Sequence, residues 1–157
     1  MASDFLKEPT LLFSGPYQLK NLDSLAQKIS HLLWGEKNGF CVFLSGHMGS
    51  GKTSFVRKTL YALGLNKALP VHSPTFSLVY EYEIDGRIFA HMDLYRPEAF
   101  HSEEELLATF DPQRYHGIFV EWPPETNFSL LAPSHLIQIS SDVHHASTRF
   151  YEFFDLR

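Results

Sequence analysis

Phe40-Cys41-Val42-Phe43-Leu44-Ser45-Gly46-His47-Met48-Gly49-Ser50-Gly51-Lys52-Thr53-Ser54-Phe55 is the stretch whose reading decides the fold. Residues 40–44 are continuously apolar between Gly39 and Gly46, as expected of a strand buried on both faces; a half-buried strand would alternate. Gly46 to Thr53 then matches G-x-x-x-x-G-K-[ST], and Phe55, Val56, Leu60 and Leu63, closed by Gly64, mark a helix directly behind it. Glycines let such a loop wrap so that successive backbone N–H groups point at phosphate oxygens, and the helix N-terminus adds its positive dipole end. Gly46, His47, Met48, Gly49, Ser50, Gly51, Lys52, Thr53 and Ser54 are therefore candidate nucleotide-binding residues. Lys52 is placed to bring a point charge to the β and γ phosphates, and Thr53 to offer its hydroxyl to Mg²⁺.

Working outward, Leu19, Leu22, Leu25, Ala26, Ile29, Leu32 and Leu33 recur at spacings of three and four before Gly35, which predicts an amphipathic helix. A short apolar run, Leu11 to Phe13, precedes it. Downstream, two β-rich runs, 76–84 and 87–92, flank Asp85-Gly86, a strong hairpin signal. Ser102 before Glu103-Glu104-Glu105-Leu106-Leu107 reads as a capped short helix with an acidic first turn. Ile118 to Glu121, Leu136 to Ile139 and Arg149 to Phe154 read as three further strands, the last two as neighbours. The expected fold is α/β: a single P-loop NTPase domain over residues 1–157, its mixed parallel and antiparallel sheet flanked by helices and carrying a β-hairpin insertion.

A nucleotide hydrolase of this kind needs a carboxylate at a neighbouring strand end to hold Mg²⁺ or order the attacking water. Asp93 ends the run 88–92 and Glu121 ends the run 117–120, so both are candidates; Glu121 is the one expected on the metal, with Asp93 the alternative. Ser73-Pro74-Thr75-Phe76 is a hydroxyl-rich turn between the loop helix and the hairpin. Trp122-Pro123-Pro124, directly after Glu121, is either a packed corner or an aromatic surface.

Composition narrows the function classes. With 157 residues, about one domain's length, 44% hydrophobic and 20% charged, the chain is globular. Lys plus Arg is 13 against 18 Asp plus Glu, a net charge of −5, the wrong balance for gripping a nucleic-acid backbone unaided. No apolar run approaches the ~20 residues of a membrane span. The opening residues lack the charged-then-apolar order of a signal peptide, so the expectation is a cytoplasmic protein with no membrane partner. Cys41, the single cysteine, lies in an apolar run and reads as a small core residue. The nine histidines show no metal-binding spacing.

Together, GHMGSGKTSFVR, HSPTFSLVYEY, HMDLYR and VEWP occur in the order and spacing of the TsaE family, which the chain closely resembles over nearly its full length. The resemblance implies a small ATPase, using ATP and Mg²⁺, that works with the TsaD and TsaB subunits in making the threonylcarbamoyl modification of the adenosine beside the tRNA anticodon. It implies that tRNA is reached indirectly through the complex and that another subunit transfers the threonylcarbamoyl group. By position, Lys52 and Thr53 match the phosphate and Mg²⁺ residues and Thr75 a switch-like threonine facing the γ-phosphate. Asp93 and Glu121 match the two functional acids, and Trp122 matches an aromatic beside the site. The chain departs from the family pattern at His47, where an acid is common, at Tyr80, where Asn is common, and at Pro124, where an acid is common. The competing reading is a P-loop small-molecule kinase, for which Arg96 is a candidate lid residue without a second arginine near it. A GTPase would need N-K-x-D late in the chain, and Asn66-Lys67-Ala68-Leu69 lacks the Asp.

Overall fold

In chain order the strands are β1 (Thr10–Gln18), β2 (Phe40–Ser45), β3 (Val79–Ile84), β4 (Arg87–Asp93), β5 (Gly117–Glu121), β6 (His135–Ser141) and β7 (Thr148–Asp155). The helices are α1 (Leu22–Trp34), α2 (Lys52–Leu63) and α3 (Glu103–Thr109). The computed structural model describes residues 8–95, 103–123, 131–142, 144–145 and 147–157, without the side chains of Glu103, Glu104 and Leu107. Ser102, Arg96 and Pro124, singled out above, lie outside the described residues.

One seven-stranded sheet runs β1-β7-β6-β2-β5-β4-β3. β2 pairs in parallel with β5 and β6, and β4 in parallel with β5, whereas β1, β3 and β7 pair antiparallel. This is the mixed α/β sheet expected, with one refinement: the hairpin of β3 and β4 is part of the sheet itself, because β4 is bonded to β5. Asp85 and Gly86 both turn in the left-handed region (φ 49° and 73°), the geometry of a two-residue type I′ turn.

Two cores lie on opposite faces. On one, Leu22, Leu25, Ile29 and Leu33 of α1 and Phe55, Val56, Leu60 and Leu63 of α2 pack onto Val42, Leu44, Phe89, Phe119, Ile137 and Phe153. Each such buried side chain stabilises the fold by about 1.5–3 kcal/mol. On the other, Ala90, Met92, Ile118 and Val120 meet Leu106 and Phe110. Cys41 belongs to this second core, and burial pushes its thiol up to about 12, so it stays an unreactive packing group.

Several boundaries differ from the sequence reading, and three of them have a visible cause. Leu19–Asn21 form a 3-10 turn before α1, pinned by the Gln18 N–H on Asn21 Oδ1 at 2.7 Å, and Leu19 faces outward. β1 extends well beyond Leu11 to Phe13 because β7 pairs with it along its length. β3 starts at Val79 and not at Phe76, because Leu78 takes a left-handed φ of 67° and its N–H bonds the Pro74 carbonyl at 2.7 Å, closing a turn. Phe76 is consequently left 87% exposed. Among the described residues no helix is long and apolar enough to cross a membrane.

Candidate active site

The loop between β2 and α2 opens at the carboxyl ends of the parallel strands, where α/β sheets bind ligands. Gly46 is required there by space: a Cβ would lie 2.6 Å from Ser50 Oγ and 2.7 Å from the Ile139 carbonyl oxygen. Gly51 is required by conformation, capping α2 at φ 103°. α2 begins at Lys52, which aims the helix N-terminus into a cavity of about 420 Å³.

Met48, Gly49, Gly51, Lys52, Thr53 and Ser54 of the loop and helix start line this cavity together with Ser73, Thr75, Asp93, Tyr95, Glu121 and Trp122. All four candidate catalytic residues, Lys52, Thr75, Asp93 and Glu121, are thus brought together with Thr53. Three loop residues named from the sequence do not face it. Gly46 and His47 turn their carbonyls to Lys52 Nζ, at 2.7 and 3.1 Å, and the His47 ring bonds Ser141 Oγ at 3.1 Å. Ser50 is buried, its hydroxyl unpartnered among the described residues, and lines a second cavity of about 180 Å³, which shares Gly49, Gly51 and Ser54 with the first and is walled by Tyr17, Leu19 and Tyr151.

Lys52 is only 4% exposed, and burial lowers the pKa of its ammonium against the opposing pull of Glu121 and Asp93. It also lies over the Trp122 ring, 3.8 Å from the centroid. Trp122 has a left-handed backbone, φ 55°, and its ring packs on Tyr95 at 5.0 Å between centroids. Such non-glycine φ values cost about 1–3 kcal/mol and collect at functional sites.

The two acids sit side by side, because Asp93 ends β4 and Glu121 ends β5 in direct register, with Leu44 of β2 on the far side of Glu121. Both are buried, at 4% and 3% exposure. Asp93 Oδ2 accepts from Thr75 Oγ1 at 2.9 Å and from Ser73 Oγ, and its Oδ1 accepts from the Tyr95 N–H at 3.0 Å. Glu121 Oε1 pairs with His91 Nε2 at 2.8 Å. Sequence reading passed over His91 as one of several scattered histidines. The signal was present in the alternation of β4, where Phe89, His91 and Asp93 share a face and a histidine interrupts an apolar stripe beside an acid.

Chemically, the loop can receive an anion, and Thr53, Asp93 and Glu121 offer the hard oxygen donors that a divalent cation takes. Among the described residues no group of three or more His, Cys, Asp or Glu side chains could hold a metal ion by itself.

A family model described as "Threonylcarbamoyl adenosine biosynthesis protein TsaE" matches residues 17–150. A protein of Aquifex aeolicus named "tRNA threonylcarbamoyladenosine biosynthesis protein TsaE" is 42% identical over 80 residues, 51% of this chain and 58% of that protein. The protein of the same name from Bacillus subtilis is 36% identical over 89 residues, 55% of this chain and 52% of that protein. The matched stretch spans about half the length of these two relatives. The solved structure titled "Crystal structure of Bacillus subtilus YdiB" superposes with a TM-score of 0.58 at 20% identity, covering 96% of this chain and 89% of that one, a likeness of fold.

Proposed function

The chain belongs to the TsaE family, whose members take part in tRNA threonylcarbamoyladenosine biosynthesis, and from that membership we propose that it is the ATPase subunit of this modification, hydrolysing ATP to drive turnover of a TsaD–TsaB complex. The observation that carries the reading is one cavity lined both by Lys52 at the start of α2 and by two buried, adjacent carboxylates, Asp93 and Glu121.

The loop N–H groups and Lys52 hold the phosphates, with Lys52 leaving the Gly46 and His47 carbonyls to do so. The less charged part of the nucleotide extends toward the second cavity, which shares its loop wall with the first. Mg²⁺ fits the donor set: with too few protein ligands for a closed cage, the Thr53 hydroxyl and the carboxylates would hold it as magnesium is usually held, sharing it with substrate phosphates and water. When bound, it supplies neutralisation of charge on the phosphate oxygens. Glu121, with Oε1 already committed to His91, keeps its other oxygen for the metal, whereas Asp93, tied to two hydroxyls that border the cavity, suits orienting the attacking water. Thr75 can pass its hydroxyl from Asp93 to the γ-phosphate. Trp122 packs over the lysine and excludes water from that side. The transferred group goes to water, and the released energy acts on the partner complex that carries the tRNA.

The test is ATP turnover with and without purified TsaD–TsaB, together with capture of the partners in ATP, ADP or no nucleotide. Nucleotide-dependent capture and stimulated turnover are expected. Absence of both, with phosphorylation of a small alcohol or acid, makes the chain a kinase instead.

A further inference from the structure

His91 is 0% exposed in the middle of β4, between Phe89 of the apolar core and Asp93 of the site on the same strand face. Its two ring nitrogens meet unequal surroundings. Nε2 is 2.8 Å from Glu121 Oε1, across the parallel pairing of β4 with β5. Nδ1 is buried and, among the described residues, has no hydrogen-bond partner. An ionised carboxylate only accepts, so the hydrogen of the Glu121 pair must come from Nε2. Nδ1 faces no acceptor, and a bare nitrogen there is the less costly orphan than an unpaired N–H.

A phenylalanine or leucine would fill this volume without burying an unpartnered nitrogen, so packing gives no reason for a histidine here. The bond to Glu121 does. A carboxylate at a strand end turns freely about its last bond, and one donor fixed from inside the sheet stops that turning. Because His91 and Glu121 are carried on adjacent strands of the rigid parallel core, the donor is as well fixed as the acid.

We propose that His91 is a positioning residue: its Nε2–H holds Oε1 of Glu121 so that the second carboxylate oxygen is presented to the cavity. This rests on the ATPase reading above. His91 does not line the cavity, so it acts only through Glu121. Groups of this kind, one shell behind a metal-binding carboxylate, typically change activity about 10–100-fold when removed.

Three variants and one spectrum test this. Asparagine carries its amide where Nδ1 lies and falls short of Glu121, whereas glutamine places its amide near Nε2. His91→Asn is expected to lower kcat about 10–100-fold, to raise the Mg²⁺ concentration needed for half-maximal rate, and to leave KM for ATP unchanged, since the loop still holds the phosphates. His91→Gln is expected to restore most of the rate. Adding His91→Asn to Glu121→Gln should cost nothing further, because the carboxylate through which His91 acts is already gone. In the nucleotide-free protein, imidazole ¹⁵N spectra should show His91 as the Nε2–H tautomer, a readout independent of catalysis and of whether the asparagine variant folds. An Nδ1–H tautomer, an asparagine variant of unaltered kcat, or a glutamine variant as impaired as the asparagine one overturns the proposal. A wild-type chain that takes up no ATP overturns the ATPase reading instead, and the tautomer still decides the pairing of His91 with Glu121.

Discussion

Lys52 Nζ stands 3.8 Å from the centre of the Trp122 ring while donating to the Gly46 and His47 carbonyls. The ammonium is thus held by two backbone carbonyls and an aromatic face, the latter a contact of about 0.5–2 kcal/mol. A phosphate entering the loop competes for that ammonium and draws it off the ring. Trp122 emission should change on nucleotide addition, measured by titration in a Trp34→Phe background so that the other tryptophan is silent. In Lys52→Ala the unliganded spectrum should already differ; if it matches the parent spectrum, the ring does not sense the ammonium.

Loss of hydrolysis without loss of fold is expected for Lys52→Ala. Burial holds the pKa of this lysine below its usual value, so near neutral pH the folded state bears a cost for keeping the group charged. The folded pKa is depressed, so the cost is complete below it and relieved as pH rises through it. Removing the side chain removes that cost, while kcat falls by roughly 10²–10³-fold through lost phosphate stabilisation. Thermal melts beside a phosphate-release assay separate the two effects, and a melting temperature that drops with the rate would count against this account.

Asp93→Asn should mirror Glu121→Gln in rate but not in metal dependence. Both abolish most turnover, again roughly 10²–10³-fold. Under the assignment given, only Glu121→Gln shifts the Mg²⁺ requirement. A metal titration of each variant is decisive, and the reverse pattern would exchange the roles of the two acids.

Gly117→Ala should destabilise strongly for so small a change. A Cβ at this position would lie 2.3 Å from Phe40 Cζ, and the Phe40 ring is hemmed by Phe89, His116 and Phe119 with centroids 5.5 to 6.1 Å away. Overpacking of this kind costs about 1–3 kcal/mol, and each kcal/mol lowers the melting temperature of a domain this size by roughly 2–4 °C. Phe40→Leu in the same chain should recover part of the loss, and a Gly117→Ala chain melting like the parent would mean the ring has room to move.

Acid should loosen the end of the sheet opposite the loop through His135. Its Nδ1 is 2.8 Å from Ser134 Oγ, its ring stacks on Phe153, and Arg157 approaches Nε2 at 3.5 Å. Burial first, then the Arg157 charge, push its pKa below 6.5. With the folded pKa depressed, the unfolded chain takes up the proton first, so stability is complete above about 6.5 and declines as pH falls through the lower folded value. Melts between pH 8 and pH 5 should show this slope, and His135→Asn should flatten it.

Local pattern carried the loop, the hairpin turn and both helix stops, because glycine-dependent backbone and 3.6-residue periodicity are properties of neighbouring residues. Gly64 ends α2 in the left-handed conformation, as its position after Leu63 foretold. The acids at 93 and 121 were legible as strand-end carboxylates, but their adjacency was not. It depends on β4 lying beside β5 in one register out of several, a choice made by packing across the chain. The same holds for Lys52 over Trp122 and His91 on Glu121, whose partners are 70 and 30 residues apart in sequence. Leu78 went unread because nothing in its side chain announces a left-handed turn.

Ser73, Thr75 and the Tyr95 N–H between them occupy both oxygens of Asp93. Oδ2 has both acceptor positions taken and Oδ1 keeps one, so on the ATPase reading Asp93 has a single place left for a water molecule. Freeing Oδ2 as well requires the 73–75 turn to move, because Ser73 and Thr75 both donate to it. A neighbour that pulls on exposed Phe76 would have its hand on that lever. On the reading proposed above, contact with a partner would then reach the acid through the same turn.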